Sequence, residues 1–155
     1  MNTTHRSNRG FSSIVNLLVL ITLAIILTLL LLPSRDASIR AHVSQGLHQA
    51  DMAKAALAQA CRNSADKVVS NNADAGYFFM ESKYVANIQL SADCASGTMG
   101  IRVLMQNTGA KPDPEILLMS DSVRSGQVQP EWRCGLARGN AEQVPAECRD
   151  KLSPG

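Results

Sequence analysis

From Phe11 to Ser34 the chain carries no ionisable side chain, and apolar residues fill almost every position without the regular gaps that would mark a polar face. Such a run exceeds the roughly 20 residues needed to cross a bilayer core as a helix, so it predicts a membrane-spanning helix over residues 11–34. Beyond Pro33 the pattern becomes one-sided. Ile39, Val43, Leu47, Ala50, Leu57 and Cys61 recur at helical steps, with Arg40, Gln45, Gln49, Asp51, Lys54 and Gln59 between them. This spacing predicts an amphipathic helix over 35–70 that fades at Ser70, Asn71 and Asn72, whose side chains compete for backbone hydrogen bonds. Unbroken from Phe11, the two segments would make a helix roughly 90 Å long. Pro33 lacks an amide donor and Gly46 weakens its turn, so a bend or local melting is expected near either.

Residues 71–83 show no sustained period and are rich in Asn, Asp, Gly and Ser, which predicts a loop, with Tyr77, Phe78 and Phe79 tacking it down. Short β-branched or alternating segments follow at Tyr84 to Leu90, Thr98 to Met105, Glu115 to Ser120 and Gln127 to Cys134. The stretches between them, Ala95-Ser96-Gly97 and Ala110-Lys111-Pro112-Asp113-Pro114, are turn-forming. Four successive short strands favour an antiparallel meander. One face of it can bury itself on the helix stripe, giving an α+β head over 35–155 whose sheet occupies 84–134.

Composition and charge narrow the location. His5, Arg6 and Arg9 precede the apolar run without an acid, whereas Arg35 and Arg40 follow it beside Asp36. That asymmetry favours a cytoplasmic N-terminus and an outward-facing head. An ordinary cleaved secretory signal is disfavoured, because the run is too long and no small-residue site closes it. About 120 residues remain after Pro33, enough for one compact domain. The net charge of +2 gives no reason by itself to expect a nucleic-acid partner. Four cysteines, Cys61, Cys94, Cys134 and Cys148, form no C-x-x-C pair and fall in the exported segment, so two disulfides are favoured over a metal site. Three connectivities are open. The short loop between Cys134 and Cys148 favours that pair and leaves Cys61 with Cys94.

The order of these features resembles the type IV pilins, class IVa in particular. The basic leader 1–10 and Arg9-Gly10-Phe11 resemble the prepilin peptidase site, which implies cleavage between Gly10 and Phe11 and N-methylation of Phe11. Ser44 to Lys54 resembles the head-proximal helix, and Gly76-Tyr77 with Ser82-Lys83-Tyr84-Val85 resembles the loop into the first strand. Glu131-Trp132-Arg133-Cys134 and Val144-Pro145-Ala146-Glu147-Cys148-Arg149 resemble the tryptophan-cysteine strand and the closing P-x-x-C-R of that class. The resemblance implies a long N-terminal helix on a four-stranded antiparallel sheet, with a disulfide-closed loop over 134–148. It also implies an inner-membrane location with a periplasmic head, and as partners other pilin subunits, the peptidase and the assembly machinery. One position departs from the pattern. Polymerising pilins carry glutamate at the fifth mature position, where it is thought to neutralise a neighbour's N-terminal amine; here that position is Val15. A buried carboxylate costs on the order of 3 kcal/mol in hydrocarbon unless a cation compensates it, and Val15 offers none. Its absence implies a minor or accessory subunit that primes, tips or modulates a pilus serving motility, adhesion or DNA uptake.

No sequence pattern of a nucleophile elbow, metalloprotease helix or phosphate loop is present, so an enzyme is disfavoured and no cofactor is expected. His42 and His48 stand six apart on the helix, a poor spacing for a shared metal, and suit packing or surface roles. Trp132 reads as a packing residue. Arg124, Arg133, Arg138, Arg149 and Lys151 cluster late in the chain, a pattern that can bind DNA phosphates. Asp121, Glu131, Glu142, Glu147 and Asp150 are interleaved with them, which favours a solvated face. The competing function is a membrane-anchored periplasmic protein that captures DNA or a surface ligand and never polymerises.

Overall fold

The computed structural model describes residues 9–31, 34–121 and 130–152, with the side-chain surroundings of the first helix given over 14–29. The leader before Arg9, the bend expected at Pro33, Arg124 and residues 127–129 of the expected last strand lie outside the described residues; 130–132 are not strand, and the last strand begins only at Arg133 and runs on to Arg138 rather than ending at Cys134. The chain divides into two compact units, residues 1–34 and 35–155.

The first unit contains one helix, α1 (Arg9–Leu31). Its two described threonines do not interrupt its apolar surface. Thr22 Oγ1 donates to the Val19 carbonyl at 2.9 Å and Thr28 Oγ1 to that of Ile25 at 2.8 Å, so both hydroxyls are satisfied within the helix.

The second unit opens with α2 (Arg35–Leu47) and α3 (Ala50–Asn63), two helices where the periodicity predicted one. The interruption at His48 and Gln49 follows Gly46 by two residues. Gly46 lies so close to the sheet that a Cβ there would run into the Met105 side chain and meet Val85 Cγ2 at 3.0 Å. The position thus needs the residue that holds a helix least well. Past it, the Gln49 amide donates to the Gly46 carbonyl at 3.1 Å and the Asp51 amide to that of His48 at 3.3 Å, three residues back rather than four. Helix α3 also stops earlier than expected, at Asn63 rather than near Ser70. Ser64 turns to extended backbone while its amide still donates to the Ala60 carbonyl at 3.2 Å.

The residues released from the helix form a fifth strand, so the sheet has five strands rather than four. They are β1 (Val68–Val69), β2 (Val85–Asp93), β3 (Thr98–Met105), β4 (Glu115–Asp121) and β5 (Arg133–Arg138), in an antiparallel meander in chain order. Two β-branched valines suffice for β1, which pairs Val68 with Asp93 and Val69 with Ala92. Beyond it the Asn72 side chain continues along the edge of β2, donating to the Ile88 carbonyl at 2.6 Å and accepting from the Leu90 amide at 2.9 Å. An amide side chain presents one donor and one acceptor, as a strand residue does, and so covers an otherwise open edge.

Alternation along the central strands sorts the two faces. Ile88, Leu90, Met99, Ile101, Val103, Ile116 and Leu118 are buried with Val43, Ala53 and Leu57 of the helices, and α3 packs on β2 and β3. Small residues on α3 let the helix lie close to the sheet, and the larger apolar residues come from the strands. The turn between β3 and β4 is ordered by one carboxylate. Asp113 accepts from the Asn107 amide at 3.1 Å, from the Thr108 amide at 3.0 Å and from the Thr108 hydroxyl.

Candidate functional site

Three surfaces of the fold can bear function, and the first is α1. Gly10 and Phe11 lie within the helix, and from Ile14 to Leu29 its large apolar side chains project into open surroundings on every side. Val15, the position singled out in the sequence, is 43% exposed among them. An all-round apolar surface of this kind needs cover from lipid or other helices. Among the described residues no helix is long and apolar enough to cross a membrane. The part of α1 with described side chains, 14–29, is about 24 Å long against a hydrocarbon core of about 30 Å.

The second surface is the C-terminal region with its staples. Cys134 on β5 is bonded to Cys148, with Cα atoms 4.5 Å apart, and Cys61 in the last turn of α3 is bonded to Cys94 in the β2–β3 turn, at 5.1 Å. Between Cys134 and Cys148 the chain makes two short 3-10 turns, Ala141–Gln143 and Ala146–Cys148, around the fully buried Val144. It then returns along β5, where the Leu136 amide donates to the Asp150 carbonyl at 2.7 Å. Gly135 makes that return possible, because a Cβ there would run into Leu152 and stand 2.8 Å from the Asp150 carbonyl oxygen. Against α2 the first 3-10 turn is latched by two hydrogen bonds: Arg40 donates to the Glu142 carbonyl at 2.8 Å, and Gln143 to Asp36 at 3.0 Å. Beside the disulfide, a groove of about 390 Å³ runs between Trp132 and the α2–α3 junction, lined by His48, Asp51, Lys54 and Glu147.

The third surface is the outer face of the sheet, where a groove of about 1100 Å³ is lined by Asn71, Asn87, Gln89, Arg102, Leu117 and Met119 among others. The late arginine cluster only partly converges there. Glu115 receives Arg102 at 3.0 Å and Arg138 at 3.9 Å, so one carboxylate answers two guanidiniums, whereas Arg149 and Lys151 lie beyond the second 3-10 turn.

Other sequence-selected residues have structural surroundings. His42 stacks on Tyr84 with ring centroids 4.4 Å apart, and its Nδ1 stands 2.9 Å from the Thr108 carbonyl oxygen, so Nδ1 carries the proton and donates. Trp132 is half-buried against the core. Of the three loop aromatics expected to tack down 71–83, Tyr77 is buried and Phe79 half-buried, but Phe78 is 85% exposed and Met80 83%. An extended backbone sends alternate side chains to opposite sides, and a run of three aromatics does not reveal this. Burial pushes the Tyr77 hydroxyl above its ordinary pKa. Among the described residues no three His, Cys, Asp or Glu side chains come together as a metal-ligand set. Sequence reasoning missed Asn72 and Asp113, since a side chain substituting for backbone partners leaves no periodic signal.

An amphipathic helical region on an antiparallel meander, closed by a disulfide and a returning C-terminus, defines a pilin head. The family model for pilin, a bacterial filament protein, matches residues 39–149, and the chain belongs to that family. No curated protein and no solved structure matches the chain. Membership makes it a structural subunit of a type IV pilus that associates with other pilin subunits, at a membrane-anchored or filament-surface location.

Proposed function

We infer that the chain is a minor or accessory pilin: inserted N-in in the inner membrane with a periplasmic head, cut between Gly10 and Phe11 by prepilin peptidase and methylated on Phe11. Its domains are then the leader 1–10, the membrane and polymerisation helix 11–34 and the head 35–155. The observation that carries this reading is a helix surface apolar on every side over residues 14–29, on which the fifth residue after the Gly-Phe junction is Val15 rather than a carboxylate. The apolar surface supports packing among lipids and other pilin helices. The missing carboxylate removes the ion pair that would draw the subunit into the filament bulk, since an amine left unpaired in hydrocarbon is costly. Its work is then mechanical and associative, without catalysis.

The decisive experiment is to express the chain with its native pilus machinery, shear the cells, and seek the peptide beginning at Phe11 by mass spectrometry in filaments and in membranes. The reading expects cleaved protein in filaments at low stoichiometry. Copy numbers like a major subunit throughout the filament contradict it. A second reading, an anchored protein that captures DNA or another surface ligand, is supported by the outer-face groove with Arg102 at its wall. Protein confined to membranes, together with DNA retained by the head, would favour that second reading.

A further inference from the structure

We propose that α1 carries a self-association seam through which two copies of this chain pair in the membrane, parallel and side by side, with the Asn16 amides bonded to each other. This contact presupposes the membrane helix of the pilin reading and gives it a partner. Over residues 14–29 the polar side chains of α1 are Asn16, Thr22 and Thr28. Both threonine hydroxyls donate to carbonyls of their own helix, whereas the Asn16 side chain has no hydrogen-bond partner among the described residues. A carboxamide presents two N–H donors and a carbonyl acceptor, and aliphatic neighbours satisfy none of them. In a helix spanning residues 11–34, Asn16 lies about 10 Å from the mid-plane, inside a hydrocarbon half-thickness of about 15 Å. An unpaired amide is costly there, so the helix needs a polar group from outside itself at that depth.

A second copy supplies that group with no further condition. Two copies inserted N-in are parallel and hold Asn16 at one depth, and across a two-fold axis along the membrane normal each amide gives one hydrogen bond and takes one. Lipid tails offer neither donor nor acceptor. The residues in line with Asn16 have the period such a contact needs. Leu20, Leu23 and Leu27 follow it at steps of four, three and four, the spacing of a heptad seam, and with it they fall within about 60° of arc. All three leucines are exposed on the helix. Two such seams can therefore interdigitate while the amide pair fixes register and orientation, as a lone asparagine does in a coiled-coil core. The leucines by themselves do not select a partner, because lipid tails are as apolar as they are. Ile25 stands about 180° from Asn16 and faces away from the seam.

The full chain, taken from inner membranes into detergent micelles, is measured by sedimentation equilibrium at several protein-to-detergent ratios. A reversible monomer–dimer equilibrium is the expected result, weakened about tenfold by Asn16→Leu and largely kept by Asn16→Gln, which retains the amide. Asn16→Leu makes the helix more apolar, so association driven by apolar surface alone would rise rather than fall. A second measurement locates the seam. All four native cysteines are bonded, which leaves an introduced thiol as the one available for cross-linking. Under mild oxidation in membranes Leu23→Cys gives a linked dimer and Ile25→Cys does not, and adding Asn16→Leu to Leu23→Cys lowers the linked fraction several-fold. Head unfolding at the parent's temperature shows that each variant folds. A monomeric parent, an Asn16→Leu chain that dimerises as well as the parent, equal linking through positions 23 and 25, or an Asn16-dependent complex with a different pilin and no dimer of this chain overturns the assignment. Such a failure with the Phe11 peptide still present in filaments rejects the seam and leaves the pilin reading intact, whereas a chain absent from membranes and filaments alike rejects both.

Discussion

At the scale of single residues, a few side chains perform work that would otherwise need backbone. Asn72 is the clearest case, because its amide both donates to and accepts from β2 where β1 has already ended. Replacing it with alanine leaves the Ile88 carbonyl and the Leu90 amide without that partner, a loss of about 1–3 kcal/mol. Asn72→Asp keeps the acceptor but sets a carboxylate against the Ile88 carbonyl, so it should also destabilise. Chemical denaturation of both variants checks this, and an unchanged midpoint for Asn72→Ala would remove the edge-covering role. Tyr77 gives a pH-dependent counterpart. In the unfolded chain its hydroxyl ionises near 10.0, whereas burial holds the folded form protonated to higher pH. Below pH 10 both states keep the proton and the group has no effect. Above it the unfolded chain releases its proton first, so stability falls as pH rises. Tyr77→Phe should make the alkaline fall in melting temperature shallower without altering the neutral value by a comparable amount.

At the scale of elements, the joints decide the shape of the head. Gly46 lets α2 approach Val85 and Met105 and also weakens the helix just before it breaks at His48. Gly46→Val should cost about 1–3 kcal/mol through overpacking, read as a lowered unfolding midpoint, even though valine holds a helix somewhat better than glycine. The two disulfides hold the remaining joints. They close loops with sequence separations of 33 and 14 residues, and chain-entropy reasoning assigns them about 4 and about 3 kcal/mol respectively. For a small domain, either is a large part of its stability. Paired serine substitutions, Cys61→Ser with Cys94→Ser or Cys134→Ser with Cys148→Ser, should each lower the melting temperature strongly. The Cys134 pair should in addition loosen the return of the chain along β5, seen as faster amide exchange at Leu136, which donates to Asp150.

At the scale of the whole molecule, the chain joins a stable head to a helix that cannot be complete alone. The apolar surface of α1 makes membrane or filament part of its structure, and Val15 bears on which of them it occupies. Val15→Glu supplies the carboxylate that bulk subunits carry, so it should raise the share of this subunit in sheared filaments relative to membranes. Quantitative mass spectrometry of the two fractions checks the direction. An unchanged ratio would mean that Val15 does not limit incorporation.

The sequence by itself determined what depends on local composition and period. The unbroken apolar run of α1, the stripe of Ile39, Val43 and Leu57, and the span of β3 from Thr98 to Met105 were all legible, because burial imposes a period on neighbouring residues. The family was legible as well, since the motifs at 131–134 and 144–149 follow the helix and strand patterns in a fixed order within the matched residues 39–149. Only the tertiary structure decided the early stop of α3 at Asn63, the recruitment of Val68 and Val69 as a fifth strand, and the exposure of Phe78 beside buried Tyr77. It alone brought Trp132 to one groove with Asp51 and Glu147. Those outcomes depend on partners far away in the chain: β2 accepts Val68 and Val69 as neighbours, and the disulfide of Cys148 fixes where Glu147 stands. A sequence shows the pattern a residue belongs to, but the groups that meet it across the fold are set by the closing of the sheet on its helices.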